Sequence, residues 1–258
     1  MKIAGAQFQP AAGDVQANLD KIWSFAEQAR EHKARLLIVP ELAVQGYGAA
    51  DQMGQLANFG GHSAISILQQ ISRDTGVALI AGSSEKSGVK LHNSAVFVDG
   101  DREPVIYRKS NLYGPYEKGL FKDAEPSTVV FELDGLSIGM LICYDVEFPE
   151  NVRRLAKAGV DLIAVPTATP EGSSGKFIAE KMLPTRSFEN QVFIAYINFT
   201  GTDGRFTYQG GAGIHAPDGQ TLAEAGKNEG IIFADIETEN YAQSRAENTY
   251  LVDLKPGQ

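Results

Sequence analysis

The chain carries one cysteine, Cys143, among its 258 residues, so no disulfide can close within it and no cysteine-built metal cage is possible. Histidine is scarce as well. His32, His62, His92 and His215 stand too far apart in sequence to form a metal-ligand motif, and no metal is expected. Positive charge is in short supply too. With 23 Lys and Arg against 32 Asp and Glu, the formal net charge of -9 repels phosphate backbones and anionic lipid headgroups. Basic clusters go no further than pairs such as Arg108-Lys109 and Arg153-Arg154, so neither nucleic acid nor membrane is an expected partner.

Long apolar runs are also missing. Gln7, Gln9 and Pro10 interrupt the N-terminus before a signal-peptide core could develop, and no segment is apolar for the length of a bilayer. A cytoplasmic protein is the expectation. Internal repeats, low-complexity tracts and the Rossmann glycine fingerprint are absent. Glu171-Gly172-Ser173-Ser174-Gly175-Lys176 lacks the earlier glycine and the Ser/Thr after lysine that a P-loop needs, and reads as a flexible loop opening a helix.

What remains is ordinary globular material: 43% hydrophobic and 21% charged residues, enough for one sizeable core in a single domain. Apolar runs of strand length alternate with helical patterns, which points to a layered α/β fold. Strands are expected over 3–8, 36–39, 77–81, 96–98, 105–107, 129–133, 137–142, 162–165 and 192–197, and near 211–215 and 231–235. Helices are expected between the first two strands, where Leu19, Ile22, Ala26 and Ala29 share a face, and over 64–74, 149–158 and 176–190. From Glu237 the tail is polar and poorly periodic.

Three strand ends hold chemistry. Glu41 follows the 36–39 strand, Lys109 follows 105–107, and Cys143 follows 137–142 just before a helix with Pro149 in its first turn. Taken one at a time, these have bland readings: a capping carboxylate, a solvated hairpin lysine and a buried structural thiol. Together they bring a base, a cation and a thiol to sites where α/β sheets gather reactive groups. A helix dipole behind Cys143 would favour its thiolate.

The segments around them decide between the readings. Gly139-Met140-Leu141-Ile142-Cys143-Tyr144-Asp145-Val146-Glu147-Phe148-Pro149-Glu150, with Asp161-Leu162-Ile163-Ala164-Val165-Pro166-Thr167-Ala168 after it, closely resembles the nucleophile segment of the nitrilase superfamily. Pro40-Glu41-Leu42-Ala43-Val44-Gln45-Gly46-Tyr47 is similar to that family's glutamate motif, and Tyr107-Arg108-Lys109-Ser110-Asn111-Leu112 to its lysine motif, in the family's order. Tyr113-Gly114-Pro115-Tyr116-Glu117-Lys118-Gly119 resembles the loop carrying a second glutamate in amidase-like members; the bland alternative pairs Glu117 with Lys118 at the surface.

The resemblance implies a four-layer α-β-β-α sandwich, with two sheets of about six strands, in a homodimer or higher homo-oligomer that uses the 237–258 tail at its interface. It implies Glu41 as general base, Cys143 as nucleophile, and Lys109 with the backbone N–H of Tyr144 as oxyanion partners. Glu117 would orient Lys109. Neither metal nor organic cofactor is implied, and the partner is a small-molecule amide. Tyr144-Asp145 after the cysteine, in place of the Trp-Glu of true nitrilases, favours amides over nitriles. N-carbamoyl amino acids and ω-amides begin with the same thiol attack, and a non-catalytic interaction protein on this scaffold is the remaining alternative.

Overall fold

The structure, a computed structural model, describes residues 1–59 and 62–255. The chain opens with β1 (Lys2–Gln7), α1 (Val15–Glu31) and β2 (Leu36–Ile38). A one-turn helix α2 (Met53–Leu56) and the short strands β3 (Asn58–Phe59) and β4 (His62–Ser63) lead into α3 (Ala64–Thr75). The hairpin β5 (Ala78–Ser87) and β6 (Lys90–Val98), then β7 (Val105–Arg108) and α4 (Gly114–Leu120), complete the first half. The second half runs β8 (Val130–Leu133), β9 (Leu136–Met140), α5 (Pro149–Lys157), β10 (Leu162–Pro166), α6 (Ser173–Phe177), α7 (Leu183–Asn190) and β11 (Phe193–Ile197). Then β12 (Gly213–His215), β13 (Thr221–Glu224), β14 (Gly230–Asp235), α8 (Ala242–Glu247) and α9 (Tyr250–Asp253) follow.

Two six-stranded sheets result, ordered β14-β1-β2-β5-β6-β7 and β13-β12-β11-β10-β9-β8. Each has a parallel centre, β1-β2-β5 in one and β9-β10-β11 in the other, with antiparallel flanks. The sheets stack face to face, with α1 and α3 outside the first and α5 and α7 outside the second. This is the four-layer α-β-β-α sandwich.

Period-two burial explains why the central strands are apolar throughout. Leu36, Ile38, Ala78, Ile80, Ala95 and Phe97 face the other sheet, while Leu37, Leu79, Ala81, Val96 and Val98 face the outer helices. Phe97 of the first sheet stacks on Phe131 of the second at 4.0 Å between ring centroids. At Gly5 an added Cβ would lie 2.2 Å from Ile197 Cδ1, so glycine there leaves room for the side chain of the facing sheet.

The structure corrects several expected boundaries. The 77–81 strand extends to Ser87 and pairs with a strand that begins at Lys90, around Gly88 at φ 60°. Apolar alternation fades in Gly82-Ser83-Ser84-Glu85-Lys86-Ser87, and backbone pairing carries the strand where side chains give no pattern. β13 was not expected at all. The 176–190 helix is instead three pieces, Ser173–Phe177, a π-helical turn Ile178–Met182, and Leu183–Asn190. Pro184 has no N–H to continue an α-helical ladder, and the π turn absorbs the break. The tail is ordered helix that packs on its own chain: Tyr241 meets Phe193, Tyr250 meets Phe188, and the Ser244 hydroxyl donates to Gln191 Oε1 at 2.9 Å. Residues 256–258 of the expected tail lie outside the described residues. Among the described residues no helix is long and apolar enough to cross a membrane.

Candidate active site

The site forms where the ends of β2, β7, β9 and β10 converge between the two sheets. Glu41 sits in the turns just past β2. Its backbone N–H donates to Thr167 O at 3.3 Å, tying the first sheet's loop to the end of β10. Gly82 of β5 makes room: a Cβ there would stand 2.5 Å from Glu41 Cα and 2.2 Å from Leu42 N. Lys109 follows β7 and is held by its N–H to Asn93 O at 2.8 Å. Glu117 is on α4, a helix rather than the expected loop.

These three side chains interlock out of reach of solvent. Lys109 Nζ donates to Glu41 Oε1 at 2.6 Å and to Glu117 Oε1 at 2.8 Å. Glu117 Oε1 also accepts from the Tyr47 hydroxyl at 2.7 Å, and its Oε2 accepts from the Tyr113 N–H at 2.9 Å. The surface reading of Glu117 paired with Lys118 is therefore excluded. Asn93 Nδ2 donates to Glu41 Oε1 at 2.6 Å, so two donors share that oxygen while Glu41 Oε2 is buried without a hydrogen-bond partner among the described residues.

Burial dominates the protonation energetics. It lifts the Glu41 carboxyl to about 7, against the opposing pull of Lys109. Burial also works against the Lys109 ammonium, but Glu117 and Glu41 outweigh it and raise its pKa well above the usual lysine value. Cys143 is pushed well above the usual thiol value, first by burial and then by Glu41, with Lys109 opposing. These influences run against the expected stabilisation of the thiolate by a helix dipole. Cys143 opens a short 3-10 turn (Cys143–Glu147) at φ +45°, and α5 starts only at Pro149, so the cysteine does not itself begin that helix. Burial and Glu41 thus favour the neutral thiol over the thiolate, beside an under-bonded Glu41 carboxyl.

Asp145 anchors that turn. Its Oδ1 accepts from the Asn111 N–H at 2.8 Å and the Ser110 hydroxyl at 3.0 Å; its Oδ2 accepts from the Tyr107 hydroxyl at 2.9 Å and the Ile142 N–H at 3.3 Å. One side chain therefore joins the lysine segment to the cysteine turn. Beyond the sulfur, Thr169 Oγ1 lies 3.8 Å from Cys143 Sγ and hydrogen-bonds the Tyr196 hydroxyl.

Cys143 opens onto a cavity of about 430 Å³ lined by Tyr47, Tyr113, Tyr144, Glu147, Thr169 and the 170–175 loop. The Gly172-Ser173-Ser174-Gly175 segment is thus a wall of the site. The Tyr144 N–H lies in the first turn of the 3-10 segment, where backbone N–H groups have no acceptor within the turn. Among the described residues no group of His, Cys, Asp and Glu is arranged to hold a metal.

Sequence reasoning names Tyr47 only as a pocket-lining aromatic, without its bond to Glu117, and misses Asn93, Asp145 and Thr169. Asn93 had a signal: His92-Asn93-Ser94 puts consecutive buried polar residues inside a strand. Asp145 lies two residues past the cysteine and passes for a turn residue. Thr169 has no local signature.

A four-layer sandwich with a buried carboxylate–ammonium–carboxylate cluster beside an elbow cysteine defines the class: it is the nitrilase superfamily. The profile described as carbon-nitrogen hydrolase matches residues 2–246, and the chain belongs to that family as a hydrolase of the amidase type. An amidase from Nesterenkonia sp. superposes with a TM-score of 0.88 at 33% identity, over 99% of this chain and 93% of that one. A variant of that amidase carries the acetamide moiety of fluoroacetamide covalently on its active-site cysteine (TM-score 0.83, 32% identity, 98% and 97% covered). A hydrolase of Pseudomonas protegens is 36% identical over 99% of this chain and 90% of its own length. The 2-oxoglutaramate amidase of Bacillus subtilis is 31% identical over 98% and 97%.

Proposed function

We propose that the protein hydrolyses a small amide to the carboxylic acid and ammonia through a thioester on Cys143. The observation that carries this reading is Glu41 Oε2: a buried carboxylate oxygen without a partner among the described residues, on a group whose pKa is raised to about 7, in the same site as a thiol whose pKa burial raises. A carboxylate so poised takes the thiol proton as sulfur attacks the carbonyl carbon. The oxyanion that forms is met by Lys109 Nζ and the Tyr144 N–H, both fixed in advance. Glu41 then hands its proton to the departing nitrogen, and ammonia leaves. Water attacks the thioester while giving a proton to Glu41; the acid departs and the proton returns to sulfur. Glu117 orients the Lys109 ammonium and keeps it charged. The covalent adduct on the Nesterenkonia amidase's cysteine supports the nucleophile assignment by similarity.

Intact-mass spectrometry after mixing with a panel of short amides tests the reading. A mass increase equal to the acyl group less the thiol hydrogen it replaces, present in the wild type and lost in Cys143→Ala, is expected. Hydrolysis that survives in Cys143→Ala but is lost in Ser173→Ala or Ser174→Ala would overturn it.

We further propose a homodimer with the 237–258 segment at its interface, a reading supported by the exposure of Tyr250 and Val252 on α9. Light scattering is expected to give twice the chain mass; a stable monomer at micromolar concentration removes the claim.

A further inference from the structure

We propose that Glu147 is a specificity-determining residue that selects amides bearing a protonated amine at the end remote from the scissile carbonyl. This rests on the reading of Cys143 as the nucleophile and adds the substrate class.

Cys143 and Glu147 bracket one 3-10 turn, and both line the cavity into which the sulfur opens. Among the described residues no Lys or Arg lines that cavity. Its other carboxylate, Glu171, is engaged with Lys227 Nζ at 2.6 Å. The Glu147 carboxylate makes no hydrogen bond or ion pair among the described residues. The fields of Lys109 and then Arg186 reach it, but Lys109 Nζ is held by Glu41 and Glu117, and Arg186 donates to the Glu147 backbone O at 3.0 Å and to Glu189 at 2.9 Å. The lining is thus acidic, with the nearby cations Lys109 and Arg186 held by other partners, and the Glu147 carboxylate is half-buried in the pocket.

Two more features fit a cationic guest. Tyr47, Tyr113 and Tyr144 line the same cavity, and ammonium groups are attracted to tyrosine faces. Glu147 also borders an adjoining cavity of about 420 Å³, with Phe177, Ile178 and Met182 along it, where the apolar part of a longer amine can rest. Burial lifts the Glu147 carboxyl to about 7, a cost that an entering ammonium would relieve. A substrate carboxylate meets the opposite situation: it would be brought beside Glu147 with no cation in the lining to receive it. By this argument the anionic ω-amides and N-carbamoyl amino acids are poor substrates.

The test compares kcat/KM for γ-aminobutyramide, valeramide and succinamic acid, and for homologues one and two methylenes longer, on the alkaline side of the Glu147 value. In the wild type the best amino amide is expected to exceed its alkyl counterpart by about tenfold or more, with the carboxylate series slowest. Glu147→Gln should compress the amine-to-alkyl ratio to within about threefold, and Glu147→Lys should reverse the order of the amine and carboxylate series. A wild-type ratio near one, or a ratio unchanged in Glu147→Gln, overturns the proposal. Acyl adducts on Cys143 with no amine preference sink it alone; no adduct with any amide sinks the thioester reading and this inference with it.

Discussion

Two carboxylates lie buried in the same site, and their hydrogen-bond partners are arranged differently. Asp145 is saturated: each oxygen accepts one hydroxyl and one backbone N–H. Glu41 is lopsided: Oε1 receives Lys109 and Asn93, and Oε2 receives nothing among the described residues. Burial raises the pKa of both. The difference is therefore one of vacancy more than of environment. A carboxylate with every lone pair engaged holds loops together, whereas one with a free buried oxygen is left able to accept a proton.

Removing the charge at the vacant site should give the largest effect. Glu41→Gln keeps an oxygen to accept from Lys109 and Asn93, so the fold should survive, but the amide cannot serve as base. Turnover is expected to fall by about a thousandfold or more, with a melting curve close to wild type. Turnover near the wild-type rate would erase the distinction between the two carboxylates. Asp145→Asn should behave in the reverse manner. Whichever oxygen becomes an amide N–H₂ then faces a backbone N–H, of Asn111 or of Ile142, and one buried donor is orphaned. Urea unfolding should show a loss of about 1–3 kcal/mol, with activity reduced less than in Glu41→Gln.

Asn93→Ala sharpens the contrast by removing one donor from the crowded oxygen. That donor favours the ionised form, so its loss raises the Glu41 pKa above about 7, and the acid limb of kcat/KM should move to higher pH by about one unit. An unmoved limb would mean that Asn93 does not tune the base. The smallest effect is expected for Thr169→Val, since 3.8 Å to a weakly bonding sulfur is a marginal contact; kcat/KM should change by less than about threefold.

The same contrast marks where sequence reading stops. Glu41, Lys109 and Cys143 were visible because each ends an apolar strand within a long matched segment, and the two-sheet fold was visible in runs such as Leu36-Leu37-Ile38-Val39. Partner identity was not visible. That Lys109 bonds both glutamates, that Asn93 crowds one oxygen, and that Asp145 takes four donors depends on strands far apart in sequence meeting in space. The surroundings of Cys143 escaped for a related reason: sequence places a helix after it, but only the structure makes the cysteine the first residue of a separate 3-10 turn, Cys143–Glu147, that precedes that helix. The end of β5 and the whole of β13 were missed because polar strands carry little periodic signal.

The central claim is that a neutral Cys143 thiol surrenders its proton to the vacant oxygen of Glu41. The pH dependence of iodoacetamide alkylation at Cys143, measured in the wild type and in Glu41→Gln, tests it directly. The wild-type rate should rise through an inflection near 7, the Glu41 value, and Glu41→Gln should lack that inflection and react only as the thiol itself ionises at alkaline pH. Equal and pH-independent alkylation of both proteins from acidic pH upward would reveal a preformed thiolate and contradict the account.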